Sequence, residues 1–269
     1  MSESSYYRDH WLTVEPERLA AYEELFRWRP QLEPLLAAAQ LSAGQVVADY
    51  GCGPGHLAVE LARRVGAAGH VHALDLNAEF VRRTRARAAA EGVADCVSVH
   101  HLTSDGIPLS PASLDRVVCK NVLEYVDDPG QTLASFRAAL RPGGLAHVID
   151  SDWALLAVEP LGEQRTAELF AAARHAYRTP QIGRQLHRLF RHAGFRDVQV
   201  QVLANPDLKG NMASVVFNMV EYARASRKLA PALLDAIVGD VKRAIEAGEF
   251  LLLLPQFLVT GVVPGETSS

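Results

Sequence analysis

Five short apolar runs, Val46–Tyr50, His70–Asp75, Val97–His101, Asp115–Lys120 and Leu145–Asp150, follow one another with helical stretches between them. No other feature of the chain restricts its fold as much. Runs rich in Val, Leu, Ile and Ala, without polar alternation, suit strands covered on both faces. The stretches between them carry helix ends. Leu57, Leu61 and Val65 form one apolar face, and Gly66 can take a left-handed C-cap. Asn77 caps a second helix, with Glu79 in its positive first turn and Gly92 past its end. Asp128-Pro129 opens a third, and Pro142-Gly143-Gly144 stops it. Strands alternating with helices make βαβ units and hence a doubly wound parallel sheet.

The flanks read differently. Residues 1–40 are aromatic- and Leu/Ala-rich and predict a helical N-terminal arm. Residues 155–192 and 211–248 predict helical insertions that cover the domain, around a strand at Asp197–Leu203 and before a last strand at Phe250–Val263. Without a repeat or a low-complexity linker, residues 1–269 read as one α/β domain.

Several function classes drop out on charge and composition. With 27 Lys plus Arg against 31 Asp plus Glu, the net charge of -4 leaves no footprint for nucleic acid. Arg82, Arg83, Arg85 and Arg87 read as the solvated face of a helix whose Phe80 and Val81 turn inward. The N-terminus has no basic stretch leading into an apolar core, so no signal peptide is expected. The apolar run at 250–263 contains Pro255 and is too short for a membrane span. Three cysteines in an odd count fit a reducing, cytoplasmic compartment. His100-His101 alternate strand faces, and His187 with His192 has no acid or Cys to complete a set, so no metal is expected.

The first strand runs into Asp49-Tyr50-Gly51-Cys52-Gly53-Pro54-Gly55. Glycine is needed where backbone turns sharply or lets a ligand approach without a Cβ, and the helix that follows offers free N–H groups. A dinucleotide pyrophosphate asks for G-x-G-x-x-G; here the spacing is G-x-G-x-G, with an acid two residues before the first glycine. Asp49 would repel a pyrophosphate but suits an ammonium. Asp75, ending the second strand, can accept both hydroxyls of a ribose. A nucleoside with a cationic tail fits this pair, and S-adenosylmethionine is one.

These residues resemble the class I S-adenosylmethionine-dependent methyltransferases, of the small-molecule, natural-product type. The resemblance continues through Ser104-Asp105-Gly106-Ile107-Pro108-Leu109, Asn121-Val122-Leu123-Glu124-Tyr125-Val126, Leu140-Arg141-Pro142-Gly143-Gly144 and Ala193-Gly194-Phe195. It implies a Rossmann-like sheet of seven strands with the last antiparallel. It also implies cofactor contacts from Asp49, Gly51, Cys52, Gly53, Gly55, Asp75, Leu76, Asp105, Gly106, Lys120 and Asn121, Asp105 meeting the adenine amino group. Many small-molecule members carry His where this chain has Tyr125, a poorer base near neutral pH.

Ligands of open α/β sheets sit outside the carboxyl ends of the strands. Asp150, Asp152 and Trp153, after the fifth strand, are therefore expected to face a second substrate. Asn205 is a further substrate candidate, and in the arm Tyr6 and Tyr7 are expected over the cofactor, where an aromatic face stabilises a sulfonium. Tyr7, Tyr177 and Asp150 are the catalytic candidates, and Tyr6, Asp152, Trp153 and Asn205 the substrate-facing ones. Methyl transfer to a small molecule in specialised metabolism, leaving S-adenosylhomocysteine, is the leading expectation. A cyclase that closes the cofactor's amino acid end into azetidine-2-carboxylate and releases methylthioadenosine, and a cofactor-binding protein without turnover, are the alternatives. The sequence leaves the oligomeric state open.

Overall fold

The computed structural model describes residues 5–265, so residues 1–4 of the expected arm and residues 266–269 lie outside the described residues. Its main sheet has strands β1 (Val46–Tyr50), β2 (His70–Asp75), β3 (Val97–His101), β4 (Leu114–Lys120), β5 (Leu140–Ser151), β7 (Arg196–Leu203) and β9 (Gln256–Val262). They lie in the order β3-β2-β1-β4-β5-β9-β7. Neighbours among β1 to β5 pair in parallel, and β9 runs antiparallel to both β5 and β7. This is the seven-stranded, Rossmann-like sheet with an antiparallel last strand that the resemblance implied.

Two layers of helix explain why the strands lack polar alternation. On one face, α5 (Pro129–Ala139) and α7 (Ile182–His192) bury Leu133, Phe136, Ile182, Leu186 and Phe190 against Tyr50, Cys119, Val148 and Val259. On the other, α3 (His56–Val65) and the turns at 30–39 bury Ala58, Leu61 and Leu36 against Val47, Val71, Val118 and Ile149. Beside α3, α4 (Ala78–Ala90) packs on β2 and β3. The expected caps form: the Asn77 side chain accepts from the N–H groups of Glu79 and Phe80, and that of Asp128 from Gly130 and Gln131.

A second core sits above the carboxyl ends of the strands. It joins α6 (Gly162–Ala173), α8 (Ala213–Ser226), α9 (Pro231–Ala247) and a two-stranded sheet of β6 (Ala157–Glu159) and β8 (Leu251–Leu253). Two expectations change here. The 155–192 insertion divides, since α6 joins the cover while α7 is a helix of the main sheet. The run at 250–263 also divides, Leu251–Leu253 going to the cover and Gln256–Val262 to the sheet, with Pro255 at the junction. The arm forms α1 (Tyr6–Leu12) and α2 (Pro16–Leu25), whose Val14, Leu19 and Tyr22 pack on Phe80 of α4.

Phe136 is fully buried, and its ring meets Tyr50 edge-on at a centroid distance of 4.8 Å. Phe136→Ala should cost about 3–5 kcal/mol of unfolding free energy, read from the midpoint shift in urea. A loss below about 1 kcal/mol would mean that α5 is not a principal support of the sheet.

Candidate functional site

Register brings the site together. Asp49 stands opposite Ala73 of β2 and Val118 of β4, and Lys120 opposite Ile149 of β5, so the chemistry-bearing ends of β1, β2, β4 and β5 meet at one edge. The glycine loop there is tightly specified. Gly51 has φ +76, and a Cβ on it would stand 2.3 Å from Val122 Cγ2; Gly55 has φ +88, and its Cβ would stand 2.9 Å from the Thr84 Cα. Neither position accepts a side chain. Asp75 ties the loop to its surroundings, one carboxylate oxygen accepting from Gly53 N–H and the other from Asn77 N–H, each at 2.8 Å.

The loop, the tips of β2 and β4 and the arm enclose a cavity of about 150 Å³. Gly51, Cys52, Gly53, Asp75, Leu76, Asp105, Lys120 and Asn121 line it, as the sequence predicts. Asp49, Gly55 and Gly106 lie behind that wall. Among the described residues, three buried oxygens of these predicted positions have no hydrogen-bond partner: Asp49 Oδ2, Asp105 Oδ1 and Asn121 Oδ1. Buried acceptors are rarely left unmatched, so each asks for a ligand donor. Asn121 also holds a left-handed backbone, φ +55. Such strain in a non-glycine residue gathers at ligand sites.

The remaining candidates sit elsewhere. Tyr6 stacks on His10 in the cover core. The Tyr7 hydroxyl donates to Asp127. Tyr177 is buried between Tyr125 and Trp153, its ring 5.6 Å from the first and 4.6 Å from the second. Asp150 turns to the backbone and accepts from Leu123 and Ser151 N–H, both at 3.0 Å. Asp152 caps the short turn that follows and pairs with Arg184, while the Trp153 indole donates to Glu124. Asn205 is exposed beyond β7. None of these side chains is on the wall of this cavity, where the cover packs onto the end of β5.

Sequence reasoning passed over Arg8, Phe26 and Trp28, which line the cavity together with Trp11, the third aromatic of the arm's Tyr6–Trp11 stretch, and Tyr125. Positions 8 and 11 share a side of α1, but Tyr7 lies four residues before Trp11 on that same side, so the period alone does not separate the residues that line the cavity from Tyr7. The arginine run also has a second use. Arg82 stays solvated, but Arg83 and Arg87 reach Glu23 of α2, Arg83 at 3.0 Å, and His56 joins them at 3.1 Å. Arg8 pairs with Asp127 at 3.0 Å and approaches Asp105 at 3.8 Å, and Asn77 Nδ2 donates to the Trp11 carbonyl at 2.6 Å. The arm is thereby fastened to the segments that carry the loop, Asp75 and Asp105.

Burial governs the electrostatics. It pushes Asp49 up to about 8, with Asp75 adding to the rise, and Asp75 up to about 6 against the N–H groups that it accepts. Burial pulls Lys120 down. It holds the Tyr125 phenol well above its ordinary value, with the Glu124 charge adding to the effect, so Tyr125 keeps its proton near neutral pH.

A profile of the family described as methyltransferase domain matches residues 47–144. Residues 47–144 are thus similar to a methyltransferase domain, and the sheet around them has the Rossmann-like fold of the class I S-adenosylmethionine-dependent methyltransferases. The chain is 35% identical over 162 residues to an uncharacterised 37.1 kDa protein in transposon TN4556 of Streptomyces fradiae, covering 60% of this chain and 46% of that one. It is 30% identical over 154 residues to a ubiquinone biosynthesis O-methyltransferase of Xylella fastidiosa, covering 56% and 61%. The chain thus spans about half of the length of these curated relatives. In fold it is similar to phosphoethanolamine N-methyltransferase 2 of Haemonchus contortus, solved with S-adenosylmethionine, with TM-score 0.65, 18% identity and coverage of 96% and 60%. It is also similar to the cyclase SpnF, with TM-score 0.56, 16% identity and coverage of 87% and 80%.

The family's cofactor is S-adenosylmethionine, and the unmatched Asp49 and Asp105 oxygens, with the remaining acceptor capacity of Asp75, fit it. Asp49 can accept from the ammonium, Asp75 from the ribose hydroxyls and Asp105 from the adenine amino group. Among the described residues, no group of three or more His, Cys, Asp or Glu side chains is placed to hold a metal ion, and no helix is long and apolar enough to cross a membrane.

Two outcomes follow. Asp75→Asn replaces one acceptor oxygen by a donor facing a backbone N–H, and should weaken binding of methylthioadenosine at least about tenfold in calorimetry, the scale of one charged hydrogen bond. Glu23→Gln should raise amide exchange across residues 6–28 about threefold, since each partly exposed ion pair contributes ~0.2–1 kcal/mol; unchanged exchange would assign the arm's hold to Tyr22 and Trp11 packing.

Proposed function

We propose that the protein transfers a methyl group from S-adenosylmethionine to a small molecule in the cytoplasm, within specialised metabolism. The observation that carries this reading is the roof: α1 and α2 pack beside the glycine loop and, with the cover, leave at the strand ends a cleft on the scale of a small molecule. The relative named for ubiquinone O-methylation supports a small acceptor. Free Cys52, Cys96 and Cys119 suit a reducing compartment.

When bound, the cofactor supplies a sulfonium methyl open to in-line displacement. The chain's part is to bind, align and keep out water. Asp49, Asp75 and Asp105 hold the ligand at three ends, and Trp11 and Tyr125, edge-on at 5.1 Å, offer aromatic surface to a cation at the Lys120–Asn121 end. Positioning of this kind can contribute ~7–11 kcal/mol to lowering the barrier. Tyr125 is no general base, and an acceptor that arrives deprotonated needs none.

One observation favours a second reading, ring closure of the cofactor's own amino acid end. Behind Tyr125 the cover is packed solid with Tyr177, Trp153 and Tyr222, so the acceptor's side of the cavity is narrow. Incubation with S-adenosylmethionine alone, and then with a panel of phenols, amines and carbon acids, separates the two. S-adenosylhomocysteine formed with a methylated acceptor is the expected result. Methylthioadenosine without any acceptor would establish the cyclase instead, and no product in either arm would overturn both readings.

A further inference from the structure

At the inner end of the cavity a single lysine stands among three buried carboxyl groups. Lys120, ending β4, lines the cavity, and the charges of Asp49, Glu124 and Asp150 all act on it. Asp49 is 1% exposed, Glu124 2% and Asp150 0%. Their other partners are neutral. Asp150 accepts from two backbone N–H groups, Glu124 from the Trp153 indole, and Asp49 Oδ2 has no partner at all. The nearby guanidinium groups are engaged elsewhere, Arg184 with Asp152 and Arg8 with Asp127 and Asp105. Carboxyl groups outnumber cations three to one.

Unpaired buried charge is too costly to persist, so such a cluster either keeps protons or takes in positive charge from a ligand. We infer that this cluster is a proton-exchanging receptor for positive charge: a cationic ligand entering the cavity displaces protons from it, so the site prefers a sulfonium to the neutral thioether, and more strongly as the pH rises. The inference rests on the proposed use of S-adenosylmethionine at this site.

The sign follows from the carboxyl groups. Burial and mutual repulsion raise Asp49 to about 8 and push Asp150 and Glu124 upward together. Protons held below that range must leave when a cation arrives, which weakens its binding at low pH; above it they have already left, and the dependence levels off. Asp75 on β2 titrates at the lower end, at about 6. The Cys119 thiol on β4 and the Tyr125 and Tyr177 phenols are held well above their ordinary values and stay protonated. Both the sulfonium and the thioether bring an ammonium toward Asp49, but only the sulfonium adds a second positive charge, which acts through Lys120 of the cavity wall on the buried Glu124 and Asp150 behind it. Loss of the methyl group would therefore let the cluster take its proton back and loosen the product.

The test is titration calorimetry of the full chain at pH 6, 7 and 8, in phosphate and in Tris, whose ionisation heats differ. S-adenosylmethionine should release more protons than S-adenosylhomocysteine, and methylthioadenosine, which has neither charge, should release none. The affinity ratio of the first two should rise ~3- to 10-fold per pH unit. Asp150→Asn should reduce the difference in proton count. Binding of both ligands with equal proton counts and a pH-independent ratio overturns the inference alone. Failure of both to bind overturns the cofactor reading and the inference with it.

Discussion

Asp75 connects everything that makes the cavity. Its two oxygens accept from Gly53 of the glycine loop and from Asn77, which caps α4 and also holds the Trp11 carbonyl of the arm. One carboxylate at the tip of β2 thus fixes the loop's shape, the start of a helix and the seat of the roof. Charge-assisted hydrogen bonds to backbone N–H groups are strong enough for that task. Each carboxylate oxygen retains further acceptor capacity, so the group that orders the cavity can also receive a sugar.

The fold was legible because its constraints are local. Apolar runs without alternation, Asn77 and Asp128 at cap positions and glycines at Gly51 and Gly55 each have a physical cause that acts over a few residues. The strand-end and loop residues that line the cavity were legible for the same reason, since strand ends and a tight loop leave little choice of placement. The arm and the cover were not. Tyr6, Tyr7 and Trp11 are equivalent as composition, and only the docking angle of α1 sends Arg8 and Trp11 to the cavity while Tyr6 enters the cover core. Tyr177 and Trp153 looked like pocket aromatics, but the tertiary packing of α6 and α8 makes them core.

The arginine run shows how one surface can carry two roles. Read as a helix face, Arg82, Arg83, Arg85 and Arg87 are solvated charge. With α2 in place, Arg83 and Arg87 converge with His56 on Glu23, so two guanidinium groups and an imidazole from the helices that border the loop meet a single carboxylate of the arm. Isolated ion pairs at a surface contribute little. Several that share one acceptor hold it in place with less side-chain entropy lost per bond, and here they join the roof to the helices beneath it.

The replacement of the family's common histidine by Tyr125 then takes on a specific meaning. A histidine there would titrate near neutral pH, whereas a buried tyrosine beside Glu124 keeps its proton and offers only its ring and its hydroxyl. Under the proposed reading, proton traffic in the site falls to the carboxyl cluster around Lys120 rather than to a dedicated base. Trp11 and Tyr125 on the cavity wall and the surplus buried carboxyl groups near Lys120 then form a receptor suited to a cation whose charge is lost on methyl transfer, so that the ligand's own charge governs both its capture and its release.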